Sequence, residues 1–168
     1  DETYEVFTLG IPNREVRTGF FSFLLPYYAN LHGEPTNFYI LKFVEDLREG
    51  HAEEFMLRLK IMFASIPYDM EMNEERNIQN ALLILVMLLG IDIKAEYRTS
   101  SGRIDLFIRT DRFYYIIELK FNGSTEAAIR QIDEKDYALP FAMDHQEVIR
   151  IGANFSSSQR TIDKWVIK

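Results

Sequence analysis

The spacing of apolar positions changes character near the middle of the chain. Up to about residue 66 they recur every three or four residues; from Asp92 onward they alternate or run continuously. Tyr4 to Leu9 alternates weakly, as a short strand or an extended arm would. Gly10-Ile11-Pro12-Asn13 interrupts it, and Pro12 or Asn13 starts a helix with Val16, Phe20, Phe23, Leu24 and Tyr27 on one face. Pro26 kinks or ends that helix. After His32-Gly33-Glu34-Pro35, Thr36 or Asn37 caps a second helix to about Arg48, with Ile40, Leu41, Val44 and Leu47 inward and Gly50 as its stop. A third, about Ala52 to Ser65, carries Phe55, Met56, Leu59, Met62 and Phe63. These stripes read as core, and His32 and His51 as surface residues at helix edges.

Asn73 caps a longer helix, NEERNIQNALLILVMLLG, with Glu74 and Glu75 in the first turn, where the helix dipole favours acids, and Gly90 as its stop. It is apolar nearly all round after Ala81 and is expected to be buried. Glu75, Ile78, Gln79, Leu82, Val86 and Leu89 share one stripe, so Glu75 borders a core-facing face; a solvated charge at a helix start is the competing reading. Strands follow at Asp92–Tyr97, Arg103–Arg109 and Phe113–Phe121. Asn122-Gly123-Ser124 matches a glycosylation acceptor but reads as a turn, and Ser124 caps a helix to about Ala138 that puts Gln131 and Lys135 one turn apart. Glu147–Ala153 and Lys164–Ile167 complete the pattern. The expected fold is α/β: residues 1–70 as a helical N-terminal extension or linker, and residues 71–168 as a mixed sheet in the order helix, three strands, helix, strand, strand.

Composition narrows this picture. The 168 residues, 47% of them hydrophobic, supply a full core. No stretch approaches the roughly 18 uncharged apolar residues of a membrane span, and no signal-peptide pattern is present. The absence of cysteine removes disulfides, thiolate chemistry and Cys-ligated zinc and fits a cytoplasmic protein. The chain opens on Asp1 without Met, which suggests a processed product or a piece of a longer chain. Net charge is −7, which speaks against a general nucleic-acid coat. The charge is uneven: Lys94 to Lys135 holds eight basic and seven acidic residues and is nearly neutral, leaving the acid elsewhere.

Candidate chemistry concentrates in Gly102 to Lys120, GRIDLFIRTDRFYYIIELK. If Asp111-Arg112 is a two-residue turn, Phe107 faces Ile116 and Asp105 faces Glu118, and Lys120 shares their face by the strand period of two. Phe113, Tyr115, Ile117, Leu119 and Phe121 form the opposite, apolar face. Adjacent carboxylates repel; protonation, the lysine or a divalent cation relieves this. Carboxylates on a rigid sheet suit Mg2+ or Mn2+. An ordinary exposed face bearing a Glu-Lys pair is the plain alternative.

These residues carry a resemblance. Glu75 on the apolar helix, Gly102-Arg103-Ile104-Asp105-Leu106, Ile116-Ile117-Glu118-Leu119-Lys120 and Gln131…Lys135-x-Tyr137 resemble, in that order, the PD-(D/E)XK nuclease superfamily. The pieces LLGIDIKAEYRTSSGRIDLFI, IIELKFNGSTEAAIRQIDEKDYALPF and VIRIGANFSSSQRTIDKW look most like the nuclease-like domain C-terminal to AAA-ATPase-like domains in bacterial proteins. The segment from LGIPNREVRTGFF looks like the linker of those proteins. The resemblance implies a restriction-endonuclease-like core and Mg2+- or Mn2+-dependent hydrolysis of nucleic acid, DNA first. It implies an ATPase-like domain in the same full-length chain and no membrane partner. Its metal ligands fall on Asp105, Glu118 and the Leu119 carbonyl, with Lys120 assisting the water nucleophile and Gln131 shaping the site. Its helix acid falls on Glu75, with Glu74 and Glu96 as competitors. Arg98, Arg103, Arg130, Lys135 and Tyr137 are weaker candidates for nucleic-acid contact. Ile104 stands where the family often has proline. A non-catalytic docking or regulatory module and a phosphoesterase for small phosphates are the rival functions.

Overall fold

The computed structural model describes residue 15, residues 36–66, 77–79, 81–82 and 85, and residues 91–168. The strand or arm at Tyr4 to Leu9, His32, the Asn73 cap, Glu74 and Glu75 lie outside the described residues. Of the helix expected from Pro12 or Asn13, only Glu15 is described, and it is helical and exposed.

Among the described residues five strands form one mixed sheet in sequential order: β1 (Asp92–Arg98), β2 (Arg103–Arg109), β3 (Phe113–Phe121), β4 (Glu147–Ser156) and β5 (Thr161–Ile167). β1, β2 and β3 are antiparallel neighbours, β3 and β4 run parallel, and β4 and β5 are antiparallel. A parallel pair needs a crossover, and here it contains an α-helix at Thr125–Glu134. Among the described residues the helices α1 (Thr36–Glu49) and α2 (Ala52–Ala64) precede the sheet, and the crossover helix is α3. Residues 77–79, 81, 82 and 85 are also helical.

The two faces of β3 are both apolar, and this sets the layering. Phe113, Tyr115 and Ile117 belong to one core cluster with Phe43, Leu47, Phe55, Met56, Leu59, Ile78, Leu82 and Leu85. Tyr114 and Ile116 belong to a second cluster with Ile129 and Ile132 of α3, Tyr137 and Phe141. The expected stripe of α2 is buried throughout. On α1 the expected face is corrected at Leu41, which is 65% exposed; Phe43 takes the inward place. The helix pair is tied to the sheet by the Tyr115 hydroxyl, which donates to the Leu47 carbonyl at 2.8 Å, and by Thr161 Oγ1, which donates to the Lys60 carbonyl at 2.7 Å.

The β2–β3 turn closes as expected. Thr110 N–H donates to the Phe113 carbonyl at 2.8 Å, and Thr110 Oγ1 accepts the Phe113 N–H at 2.9 Å. α3 starts where Ser124 Oγ accepts the Ala127 N–H at 3.1 Å. It ends at Glu134, four residues before the expected end, because Asp136 takes a left-handed φ of 51° and a 3-10 turn follows at Leu139–Phe141.

Candidate active site

The expected register holds: Leu106 pairs with Ile117, Phe107 with Ile116, Ile108 with Tyr115 and Arg109 with Tyr114. Continued one step, it sets Asp105 opposite Glu118, but the described pairing stops at Leu106 and Ile117. Asp105 Oδ2 instead accepts the Leu119 backbone N–H at 2.8 Å. The side chain has entered the ladder where a carbonyl would sit.

The cause is a local loss of alternation in β1 and β2. Leu106 and Ile108 belong to the core cluster that includes α1 and α2, whereas Ile104, an even number of residues away, belongs to the cluster that includes α3. Ile93 and Tyr97 on β1 likewise fall on opposite sides. Between them Glu96 has φ 54°, an uncommon left-handed conformation for a side chain of this kind. Such an irregularity bends a strand and re-aims its side chains. The expectation that Asp105, Glu118 and Lys120 share a face by simple alternation is therefore corrected: Asp105 turns into the fork between β2 and β3.

Glu118 is 2% exposed. Its Oε1 accepts from Lys120 Nζ at 3.2 Å and from Gln131 Nε2. Lys120 Nζ also donates to Gln131 Oε1 at 2.6 Å. The glutamine thus offers its oxygen to the cation and its amide hydrogens to the carboxylate, which fixes its orientation. Glu118 Oε2 is buried with no hydrogen-bond partner among the described residues. Burial first, and the Asp105 charge second, push the Glu118 carboxyl up to about 7, against the opposing pull of Lys120.

Two features of β4 build this cluster and were not singled out by the sequence reading. Gly152 pairs with Glu118 and Asn154 with Lys120. A Cβ on Gly152 would lie 2.7 Å from Ile129 Cγ1 and 2.8 Å from the Thr125 carbonyl oxygen, so only glycine lets α3 approach closely enough there. A glycine inside an apolar strand run was the available signal. Asn154, 6% exposed, accepts the Gly123 N–H at 2.7 Å and donates to Asp163 at 2.9 Å.

A cleft of about 40 Å3 opens beside the cluster, with Ile78, Gln79, Leu82, Glu96, Asp105 and Lys120 among its lining residues. Glu96 therefore borders it, though its carboxylate pairs with Arg103 at 3.1 Å and is half exposed. Arg98, Arg103, Arg130 and Lys135 are exposed. Tyr137 is corrected as a contact residue: it is 1% exposed, packs in the α3 cluster and donates its hydroxyl to the Arg103 carbonyl at 2.8 Å.

Among the described residues no three acids or histidines form a ready metal cluster. Two carboxylates do converge, one with a buried oxygen still lacking a partner, and hard divalent cations are held by oxygen donors of this kind. The two carboxylates fit such an ion, and Asp105 and Glu118 are the residues that would hold it.

The chain is 29% identical over 113 residues to "Uncharacterized protein in vnfD 5'region" of Azotobacter chroococcum mcd 1, a match covering 63% of this chain and 22% of that protein. The chain thus spans about a fifth of that relative's length. No solved structure gives a significant match. The family description of the PD-(D/E)XK nuclease superfamily matches residues 73–165, which hold the whole sheet up to Trp165 and the crossover helix. With more than half of the chain matched and the Asp, Glu-x-Lys and Gln brought to one corner of the sheet, this protein belongs to the PD-(D/E)XK nuclease superfamily.

Proposed function

We propose that the protein hydrolyses phosphodiester bonds in nucleic acid, with DNA as substrate, and that Asp105 and Glu118 hold the Mg2+ or Mn2+ this needs. The observation that carries the reading is Glu118: fully buried, one oxygen held by Lys120 and Gln131, the other without a partner among the described residues. An unpaired buried carboxylate oxygen is costly, and a cation is the ligand that offsets the cost. When bound, the ion would polarise a phosphoryl oxygen and lower the pKa of a coordinated water.

The chain's own residues do the rest. Asp105 is fixed by the Leu119 amide, so a ligating oxygen is positioned without side-chain search. Lys120 sits at the edge of the cluster, part exposed, where its ammonium orients an attacking water or stabilises charge developing on phosphate. Gln131 holds Lys120 and Glu118 in one geometry. Glu75 is the proposed third acid: it precedes Gln79, which lines the cleft, by the spacing of one helical turn. Arg98, Arg103, Arg130 and Lys135 are proposed phosphate contacts on the surface. The length of the curated relative supports a module of a larger protein, and an ATPase-like domain is the proposed companion. A cytoplasmic location belongs to the same proposal; no helix among the described residues is long and apolar enough to cross a membrane.

Incubation of the purified protein with plasmid, single-stranded DNA and RNA in Mg2+ or Mn2+ tests the reading. Cleavage that chelation abolishes, and that Lys120→Ala removes, is the expected result. Cleavage by Lys120→Ala at the wild-type rate would overturn the assigned chemistry. The exposed Leu41, Leu57 and Ile61 on α1 and α2 favour a second reading, a non-catalytic docking module. Calorimetry with Mn2+ separates the two, since a docking module shows no binding that depends on Asp105.

A further inference from the structure

We propose that Asn154 and Asp163 form a relay that sets the position of Lys120, acting through the Gly123 backbone; this rests on the nuclease reading above for its catalytic meaning. The relay begins at an irregularity in the sheet. Asn154 pairs with Lys164 and Phe155 with Ile162, so Asp163 is an extra residue on β5 at this point. Such a residue is freed from the ladder and can be aimed elsewhere. Its carboxylate accepts Asn154 Nδ2 at 2.9 Å. That contact fixes which way the Asn154 amide faces, leaving Oδ1 to accept the Gly123 N–H at 2.7 Å.

Gly123 is the contact with the site. A Cβ built on it would lie 2.9 Å from Lys120 Cβ, so the corner after β3 is folded tightly against the stem of the lysine. Asn122 keeps the same corner closed: its N–H donates to the Phe155 carbonyl at 2.9 Å and its Oδ1 accepts the Ser157 N–H at 2.9 Å. The next residue, Ser124, caps α3, which carries Gln131. One buried amide therefore governs both ends of the Lys120–Gln131 hydrogen bond. It holds the corner at Gly123 against the lysine stem and sets the start of the helix that supplies the acceptor. Asn154 touches neither of the two carboxylates in any described contact, and it is a positioning residue rather than a catalytic one.

The test compares Asn154→Ala, Asn154→Asp and the exchanged pair Asn154→Asp with Asp163→Asn. Asn154→Ala is expected to lower kcat on DNA by about tenfold or more, because small misplacements of a reacting group are costly. KM and the calorimetric Mn2+ affinity are expected to stay within about threefold, since those depend on Asp105 and Glu118. Asn154→Asp sets two carboxylates together and is expected to behave similarly. The exchanged pair restores one donor and two acceptors, and kcat is expected to recover. The Gln131 side-chain amide signals in 1H–15N spectra give a readout that needs no activity. They are expected to sit away from the free-glutamine region in the wild type and to collapse toward it in Asn154→Ala. Gly123→Ala, which forces a methyl against Lys120 Cβ, provides the same displacement if Asn154→Ala fails to fold. Wild-type kcat with unmoved Gln131 signals in these variants would overturn the relay, as would an exchanged pair no better than Asn154→Asp. A protein that cuts nothing, but whose Gln131 signals respond as described, removes the nuclease reading and leaves the relay standing.

Discussion

Asp105 Oδ2 accepts the backbone N–H of Leu119 at 2.8 Å, one residue past the position its strand register assigns to it. The carboxylate closes a gap in the β2–β3 ladder and faces the cluster at the same time. Its structural and chemical duties are separable. Asp105→Asn retains an acceptor for Leu119 and is expected to fold with near wild-type stability while losing Mn2+ affinity by tenfold or more in calorimetry. Asp105→Ala leaves the amide without its acceptor and is expected to lose about 1–3 kcal/mol in denaturant unfolding as well.

Glu118 makes stability depend on pH and metal in opposite senses. Its carboxyl is raised from 4.5 to about 7 in the folded protein. The folded state therefore binds the proton more tightly than the unfolded state, and stability from this group is full below about pH 4.5. It is lost as pH rises through about 7. Metal-free protein is expected to melt at a lower temperature at pH 8 than at pH 5.5, with Glu118→Gln flattening this difference. Added Mn2+ is expected to raise the melting temperature most at pH 8, where the carboxylate is ionised. Melting curves across pH, with chelator and with Mn2+, check both arms.

Gly152 allows α3 to lie close enough to β4 for Gln131 to reach Glu118. In Gly152→Ala the new methyl meets Ile129 and the Thr125 carbonyl at 2.7 and 2.8 Å, and part of what it meets is helix backbone. The helix has to shift, at an expected cost of about 1–3 kcal/mol. Because Gln131 moves with it, cleavage is expected to fall further than Gln131→Ala alone would lower it. Chemical denaturation and plasmid cleavage on the two variants give the comparison.

Tyr137 separates support from recognition. Its hydroxyl is buried and donates to the Arg103 carbonyl. Tyr137→Phe is expected to cost about 1 kcal/mol or slightly more in unfolding experiments. It is expected to leave nucleic-acid affinity unchanged in filter binding, whereas Arg130→Ala should weaken it and reduce its salt dependence.

Among the described residues, the sequence by itself determined the strands and the β2–β3 register. Alternation and turn chemistry are local, so β2 and β3 end where the residue pattern says, and Phe107 meets Ile116 as counting from the Asp111-Arg112 turn requires. The order of Asp105, Glu118, Lys120 and Gln131 along the chain was legible for the same reason. Tertiary structure alone decided how they meet. The left-handed Glu96 and the loss of alternation at Ile104 turn Asp105 into the strand fork, and no local pattern announces a break of that kind. Burial of Tyr137, the close approach of α3 over Gly152, and the Asp163–Asn154–Gly123 contacts all depend on elements distant in sequence. Period-two patterning specifies which face a residue occupies. How deeply it sits, and against what, is set by the packing of one element on another.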